Sequence, residues 1–186
     1  ELIERVSSQV AGRVPLLLGI SDTSSVESLT LAEFSYDHGV SAVVLAAPYY
    51  FPAGQPELLE YLEHLAPKLA LPLFLYNMPG CTKVEFELDT VQKASQIDTV
   101  IGLKDSSADM IYFHKLCRMF SDRSDFSLMV GPEELLAESI LLGGHGGVAG
   151  GANVFPRLYV ELYQAASDGD MDKVRRLHEI VIDISS

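Results

Sequence analysis

The 186-residue sequence predicts an α/β protein that forms part of a (β/α)8, or TIM, barrel. Three observations carry this reading. Short, continuously apolar runs alternate with longer amphipathic stretches, as in parallel strands buried on both faces by helices. The runs recur at a mean step of about 26 residues, the size of a repeated βα unit. No G-x-G-x-x-G follows the first run, which removes the best-known mark of the competing doubly wound sheet. Right-handed crossovers repeated in one direction close into a barrel.

The elements follow in order. The chain opens in a helix, with Leu2, Ile3, Val6 and Val10 on one face. Residues 15–19 are the first strand. Ser24 with Glu27 forms a capping box that opens a helix ending near Gly39. Residues 42–47 are the second strand. A helix over 56–69 carries Leu58, Leu59, Leu62 and Leu65 on one stripe. The strand at 73–76 is broken by the turn residues Asn77-Met78-Pro79-Gly80. A helix at 85–95, a strand at 99–104 and a helix at 109–120 come next. Residues 126–130 form a strand, and Pro132 precedes a helix at 133–142. A glycine-rich run at 147–152 supplies the sixth strand. A helix at 157–166, a break at Ser167-Asp168-Gly169-Asp170 and an amphipathic helix from Met171 complete the chain.

Six βα units are thus expected, matching strands three to eight of a barrel. Residues 1–167 form this partial barrel, and 168–186 begin a C-terminal helical extension. Two more units would close the ring, so the chain is expected to lack the N-terminal part of a longer protein and to stop inside its final helix.

Composition excludes several classes of function. Thirteen Lys and Arg face 26 Asp and Glu, a formal charge of −13. Such a surface repels nucleic acid and anionic membranes. No apolar run reaches the roughly 18 residues of a membrane helix, and no secretory signal opens the sequence. Cys81 and Cys117 form no C-x-x-C pair, and the five histidines lie in no H-x-H or H-E-x-x-H motif. A metal site is therefore not expected, and a reducing cytoplasm is.

Lys104 is the most informative residue. Strand alternation puts Val100, Gly102 and Lys104 on one face and Ile101 and Leu103 on the other. In a barrel Lys104 then points inward at the C-terminal rim, where such folds carry their chemistry. Partial desolvation disfavours the charged form of an amine and frees its lone pair for attack on a carbonyl. A strand-end lysine whose ammonium reaches water fits the same spacing. Tyr76 ends the preceding strand. If it also faces inward, its phenol lies near the amine and can relay protons; a core tyrosine with a satisfied hydroxyl is the other reading.

Pro48-Tyr49-Tyr50-Phe51-Pro52 makes a stiff aromatic rim, either a pocket mouth, an oligomer interface or plain buried surface. Six glycines between Gly143 and Gly151 either let a ligand approach and cradle an anion or allow tight helix–strand packing. His145 reads as structural. Asp105, Ser106 and Ser107 read as a helix cap.

Four pieces, standing in order, resemble the dihydrodipicolinate synthase / N-acetylneuraminate lyase family of class I, pyruvate-type aldolases. They are Pro48-Tyr49-Tyr50, Tyr76-Asn77-Met78-Pro79, Gly102-Leu103-Lys104-Asp105-Ser106-Ser107, and Gly143-Gly144-His145-Gly146 followed by Ala152-Asn153-Val154. The similarity runs from about residue 15 to about residue 177. It implies that Lys104 is the Schiff-base lysine, Tyr76 the proton relay, and Tyr50 a tyrosine that in the synthases reaches across a tight dimer. It also implies that Val148 contacts bound pyruvate, with Gly147 and Pro48 beside the substrate. The family needs no metal or organic cofactor, acts on a 2-oxo acid and an aldehyde, and assembles as dimers or homotetramers.

There are two departures. The family's glycine–threonine motif, which holds the substrate carboxylate, has no counterpart here, so this chain alone is expected to be inactive. Cys81 stands where the lysine-pathway synthases carry an arginine for the second substrate's carboxylate. This shifts weight toward another 2-oxo-acid lyase, synthase or dehydratase. Dihydrodipicolinate synthase proper, a non-catalytic 2-oxo-acid-binding barrel, and a phosphosugar aldolase using the glycine run are the alternatives.

Overall fold

A computed structural model describes residues 1–185. Parallel strands alternate with helices throughout, in the sheet order β1-β2-β3-β4-β5-β6, which is also their order along the chain.

The chain divides into two compact units, Glu1–Gly102 and the part from Leu103 onward. In the first, α1 (Leu2–Val10) precedes β1 (Leu17–Gly19), α2 (Ser25–Asp37), β2 (Ala42–Ala46), α3 (Gln55–Leu65) and β3 (Leu73–Asn77). A single turn, α4 (Pro79–Thr82), then α5 (Leu88–Ala94) lead to β4 (Val100–Asp105), which runs on into the second unit. β1 and β2 pair parallel with Leu18 opposite Val43, and β2 and β3 with Leu45 opposite Leu75. Val43, Leu45, Leu73 and Leu75 are at most 1% exposed. Leu58, Leu62 and Leu65, three of the four residues in the expected α3 stripe, are fully buried as well. Only half of the expected capping box forms: the Ser24 hydroxyl accepts the Glu27 N–H at 3.4 Å, but the Ser24 N–H donates to the Asp22 carboxylate at 2.8 Å instead of to Glu27. Gly39, at φ +74°, makes the left-handed turn that ends this segment.

The second unit holds α6 (Met110–Met119), β5 (Ser127–Val130), α7 (Leu136–Leu141), β6 (Gly146–Gly147), α8 (Pro156–Asp168) and α9 (Met171–Ser185). Its core joins Leu103, Phe113, Leu116, Phe126, Leu128 and Leu162, all fully buried. Phe120 stacks on Phe126 with ring centroids 4.1 Å apart. Gly169, at φ +72°, closes α8 and turns the chain into α9.

Several elements differ from expectation. The sixth strand is only two residues long, and Gly151–Asn153 is a 3₁₀ turn instead of strand. The 56–69 helix stops at Leu65 and finishes as a 3₁₀ turn, Ala66–Lys68, with Pro67 in its first positions. The 85–95 helix begins at Leu88, because Val84 and Phe86 are buried in extended chain ahead of it. The break after β3 contains the helical turn Pro79–Thr82, not a loop alone. The 133–142 helix starts as a 3₁₀ turn over Glu133–Leu135. No described helix is long and apolar enough to cross a membrane.

Candidate active site

In the first unit, polar and aromatic side chains begin where the aliphatic strand runs stop. Tyr76 is the fourth residue of β3, half-buried, with Ala46 as its partner in register. The Ala46 N–H, beyond the end of the β1 ladder, donates to the Ser21 hydroxyl at 2.8 Å. Past β2 the chain enters Ala47, half-buried Pro48, and the exposed side chains of Tyr49, Tyr50 and Phe51. Tyr50 is 75% exposed and meets Phe51 edge to face at 4.9 Å. The structure thus sets Pro48, Tyr50 and Tyr76 beyond or at the carboxyl ends of adjacent strands.

The loop after β3 is held from within. Asn77 is fully buried, and its Oδ1 accepts the Phe86 N–H at 3.1 Å. The Thr82 hydroxyl donates to the Val84 carbonyl at 2.8 Å. Cys81 is an exposed free thiol on the helical turn. Lys83 takes a left-handed conformation at φ 61°, and its Nζ donates to the Gly80 carbonyl at 2.6 Å.

In the second unit, Lys104 is half-buried on β4, between the buried residues Leu103 and Asp105. The Asp105 carboxylate accepts the Ser107 N–H at 3.2 Å and the Ser107 hydroxyl at 2.9 Å. It therefore organises the turn ahead of α6. The cap of that helix is Asp109, whose Oδ1 accepts the Ile111 and Tyr112 N–H groups; this corrects the expectation that residues 105–107 cap it. The Gly131 N–H donates to the Asp105 carbonyl at 2.6 Å. A side chain at Gly131 would overlap Ser106, so the glycine permits the two strand ends to meet.

Gly147 pairs with Val130, and the Val148 N–H donates to the Val130 carbonyl at 2.9 Å. Val148 is 49% exposed just past β6.

The glycine run serves packing. A Cβ on Gly144 would lie 2.8 Å from the Ser139 carbonyl oxygen, and one on Gly147 would lie 2.7 Å from Leu136. At the end of the run, the Gly151 N–H is taken by the Glu133 carboxylate at 2.6 Å. A phosphate there would face a carboxylate, which argues against the phosphosugar reading. The other oxygen of Glu133 accepts from the Tyr159 hydroxyl at 2.8 Å. Burial first, and then that neighbouring carboxylate, push the Tyr159 phenol up to about 12. His145 is structural, as its Nδ1 accepts the Leu128 N–H at 3.0 Å. Burial raises the Cys117 thiol to about 11. Among the described residues, no group of three or more His, Cys, Asp or Glu could hold a metal ion.

Ser21, Thr82 and Glu133 were not singled out by the sequence. Each lies in or beside a loop without periodicity, and its partner is visible only in three dimensions.

These strand-end side chains stand on a fold shared with solved barrels. The chain superposes with a TM-score of 0.95 and 56% identity on the dihydrodipicolinate synthase structure from Bacteroides thetaiotaomicron, covering 99% of this chain and 62% of that one. YagE, a prophage protein of the dihydrodipicolinic acid synthase family from E. coli K12 solved in complex with pyruvate, gives 0.92 at 27% identity, covering 98% and 62%. The architecture is accordingly part of a TIM barrel. The model of the Dihydrodipicolinate synthetase family matches residues 1–186, and the chain belongs to that family. The curated 4-hydroxy-tetrahydrodipicolinate synthase of Pseudomonas putida (strain W619) is 35% identical over 179 residues, 96% of this chain and 61% of the relative. The chain thus spans about three-fifths of the length of the relatives it matches.

Proposed function

We propose that this chain carries the Schiff-base half of a carbon–carbon lyase or synthase acting on pyruvate or a pyruvate-derived 2-oxo acid. One observation carries the reading: a half-buried lysine near the end of a parallel strand, in a member of this family. The Lys104 amine attacks C2 of the 2-oxo acid to give a carbinolamine. Loss of water, with the proton supplied by Tyr76, leaves a protonated imine. The imine is an electron sink: removal of a C3 proton gives an enamine that attacks an aldehyde carbonyl, and the reverse sequence cleaves the same bond. Tyr50, Val148, Gly147 and Pro48 are assigned to the substrate side of this chemistry. The working assembly is a dimer or homotetramer in the reducing cytoplasm, in keeping with two free thiols.

The test is addition of pyruvate, reduction with borohydride and mass mapping. In protein that also carries the carboxylate-holding segment, an adduct on Lys104, absent in Lys104→Ala, is expected; no adduct on that folded, intact protein overturns the reading.

A second reading is 4-hydroxy-tetrahydrodipicolinate synthase itself. The 56% identity to the Bacteroides thetaiotaomicron structure favours it, and Cys81 in place of the arginine weighs against it. A coupled assay with aspartate semialdehyde decides, and turnover well below that with other aldehydes would exclude it.

A further inference from the structure

The segment bearing Tyr50 and the loop that follows Tyr76 are tied by one side chain. Gln55 opens α3, five residues after Tyr50. Its Nε2 donates to the Glu85 carbonyl at 2.7 Å. Its Oε1 accepts the Glu87 N–H at 3.1 Å and the Thr90 hydroxyl at 2.6 Å. Between those two residues, the Phe86 N–H donates to Asn77, the neighbour of Tyr76. One backbone group on each of three consecutive residues, 85 to 87, is therefore matched by two side-chain amides. A primary amide offers a donor and an acceptor much as a peptide group does, so Gln55 acts as an added rung where no strand pairs. The amide fits one way only, because a flip would set NH₂ against the Glu87 N–H and carbonyl against carbonyl. Phe86, held between the two amides, is 1% exposed.

We propose that Gln55 is a positioning residue that fixes the aromatic segment 48–54 against the loop 78–87. Tyr50 and Tyr76 are then held in one rigid frame. Their chemical roles rest on the Schiff-base reading; the mechanical coupling does not.

Hydrogen exchange on the 186-residue chain separates the two. In Gln55→Ala, exchange at the Phe86 and Glu87 amides and at the Leu58 amide, which donates to the Gly54 carbonyl at 3.0 Å, should rise about tenfold, the scale of one lost hydrogen bond. Ser24→Ala, a cap loss elsewhere in the same unit, should leave both segments as they were. In protein that traps pyruvate, Gln55→Ala should slow deuterium exchange at pyruvate C3 by about tenfold. The pyruvate concentration that half-saturates trapping should stay within about twofold. Gln55→Glu keeps both acceptor contacts and loses the donor, so it should fall between wild type and alanine. Unchanged exchange at the Leu58 amide in Gln55→Ala overturns the proposal, as does an equal rise in Ser24→Ala. If the intact, unsubstituted protein with its carboxylate-holding segment traps no pyruvate, the Schiff-base reading fails, and the exchange data alone decide the coupling.

Discussion

Lys104 and Tyr76 were legible as candidates because strand alternation and strand ends are written in the sequence; the partners that fix the surrounding loops were not. Tyr76→Phe keeps the ring in β3 and removes only the hydroxyl, so in protein that also carries the carboxylate-holding segment turnover should fall by about 10²-fold or more with an unchanged circular dichroism spectrum. A loss below threefold would remove Tyr76 from the proton relay. The two cysteines differ as physically as residues of one type can. Cys81 is exposed, whereas Cys117 is 8% exposed with its thiol raised to about 11. The thiolate is the reactive form. Iodoacetamide at pH 8 should therefore label Cys81 in the native chain and Cys117 only after unfolding. Labelling of both at similar rates would contradict this placement. Tyr159 shows how a buried network reaches into stability. Its phenol is raised to about 12 from an ordinary 10.0, so between those values the folded chain holds a proton that the unfolded chain has released. Its contribution is full below about pH 10 and is lost as the pH rises through about 12. Tyr159→Phe should flatten that part of the alkaline stability curve, as chemical denaturation at pH 9 to 12 would show.

At the scale of elements, the sequence placed most strands and helices but not all of their bounds: the helix expected from residue 85 starts at Leu88, and the one expected to reach residue 69 stops at Leu65. Ser24 and Asp109 start helices through side-chain chemistry that a reader of sequence can see. Residues 85–87 have helix-like spacing to α5, yet Phe86 is drawn into the core and its backbone is held extended by Gln55 and Asn77. Long-range amides overrode local pattern there. The glycine run was ambiguous between ligand approach and packing, and its neighbours decide for packing. The contact at Gly144 is the firmest test, since an added Cβ would meet a backbone carbonyl and the Phe113 ring, neither of which yields easily. Gly144→Ala should destabilise the chain by about 1–3 kcal/mol. At Gly147 the obstacle is the flexible end of Leu136, so Gly147→Ala should cost less. Urea denaturation of both variants checks the order, and an equal or reversed order would count against packing as the role of this run.

Over the whole molecule, the βα period was legible because it repeats, and repetition survives errors at single elements. Charge is the other property that belongs to this scale. With 26 acidic and 13 basic residues, the chain carries a large surplus of carboxylates. Several of its ion pairs lie within one helical turn on exposed surface, as for Arg5 with Glu1 and Lys93 with Asp89, where each is worth little. The surplus therefore acts mainly as self-repulsion, which favours the expanded, unfolded chain. Repulsion of this kind reaches about 30 Å at 0.01 M salt but only about 8 Å at 0.15 M. Moving from the lower to the higher ionic strength should stabilise the fold by about 1 kcal/mol, or 2–4 °C in Tm for a chain of this size. Sodium chloride should suffice, because screening needs no specific ion. A Tm that stays level or falls over that range would mean that the exposed ion pairs, which salt weakens, outweigh the repulsion.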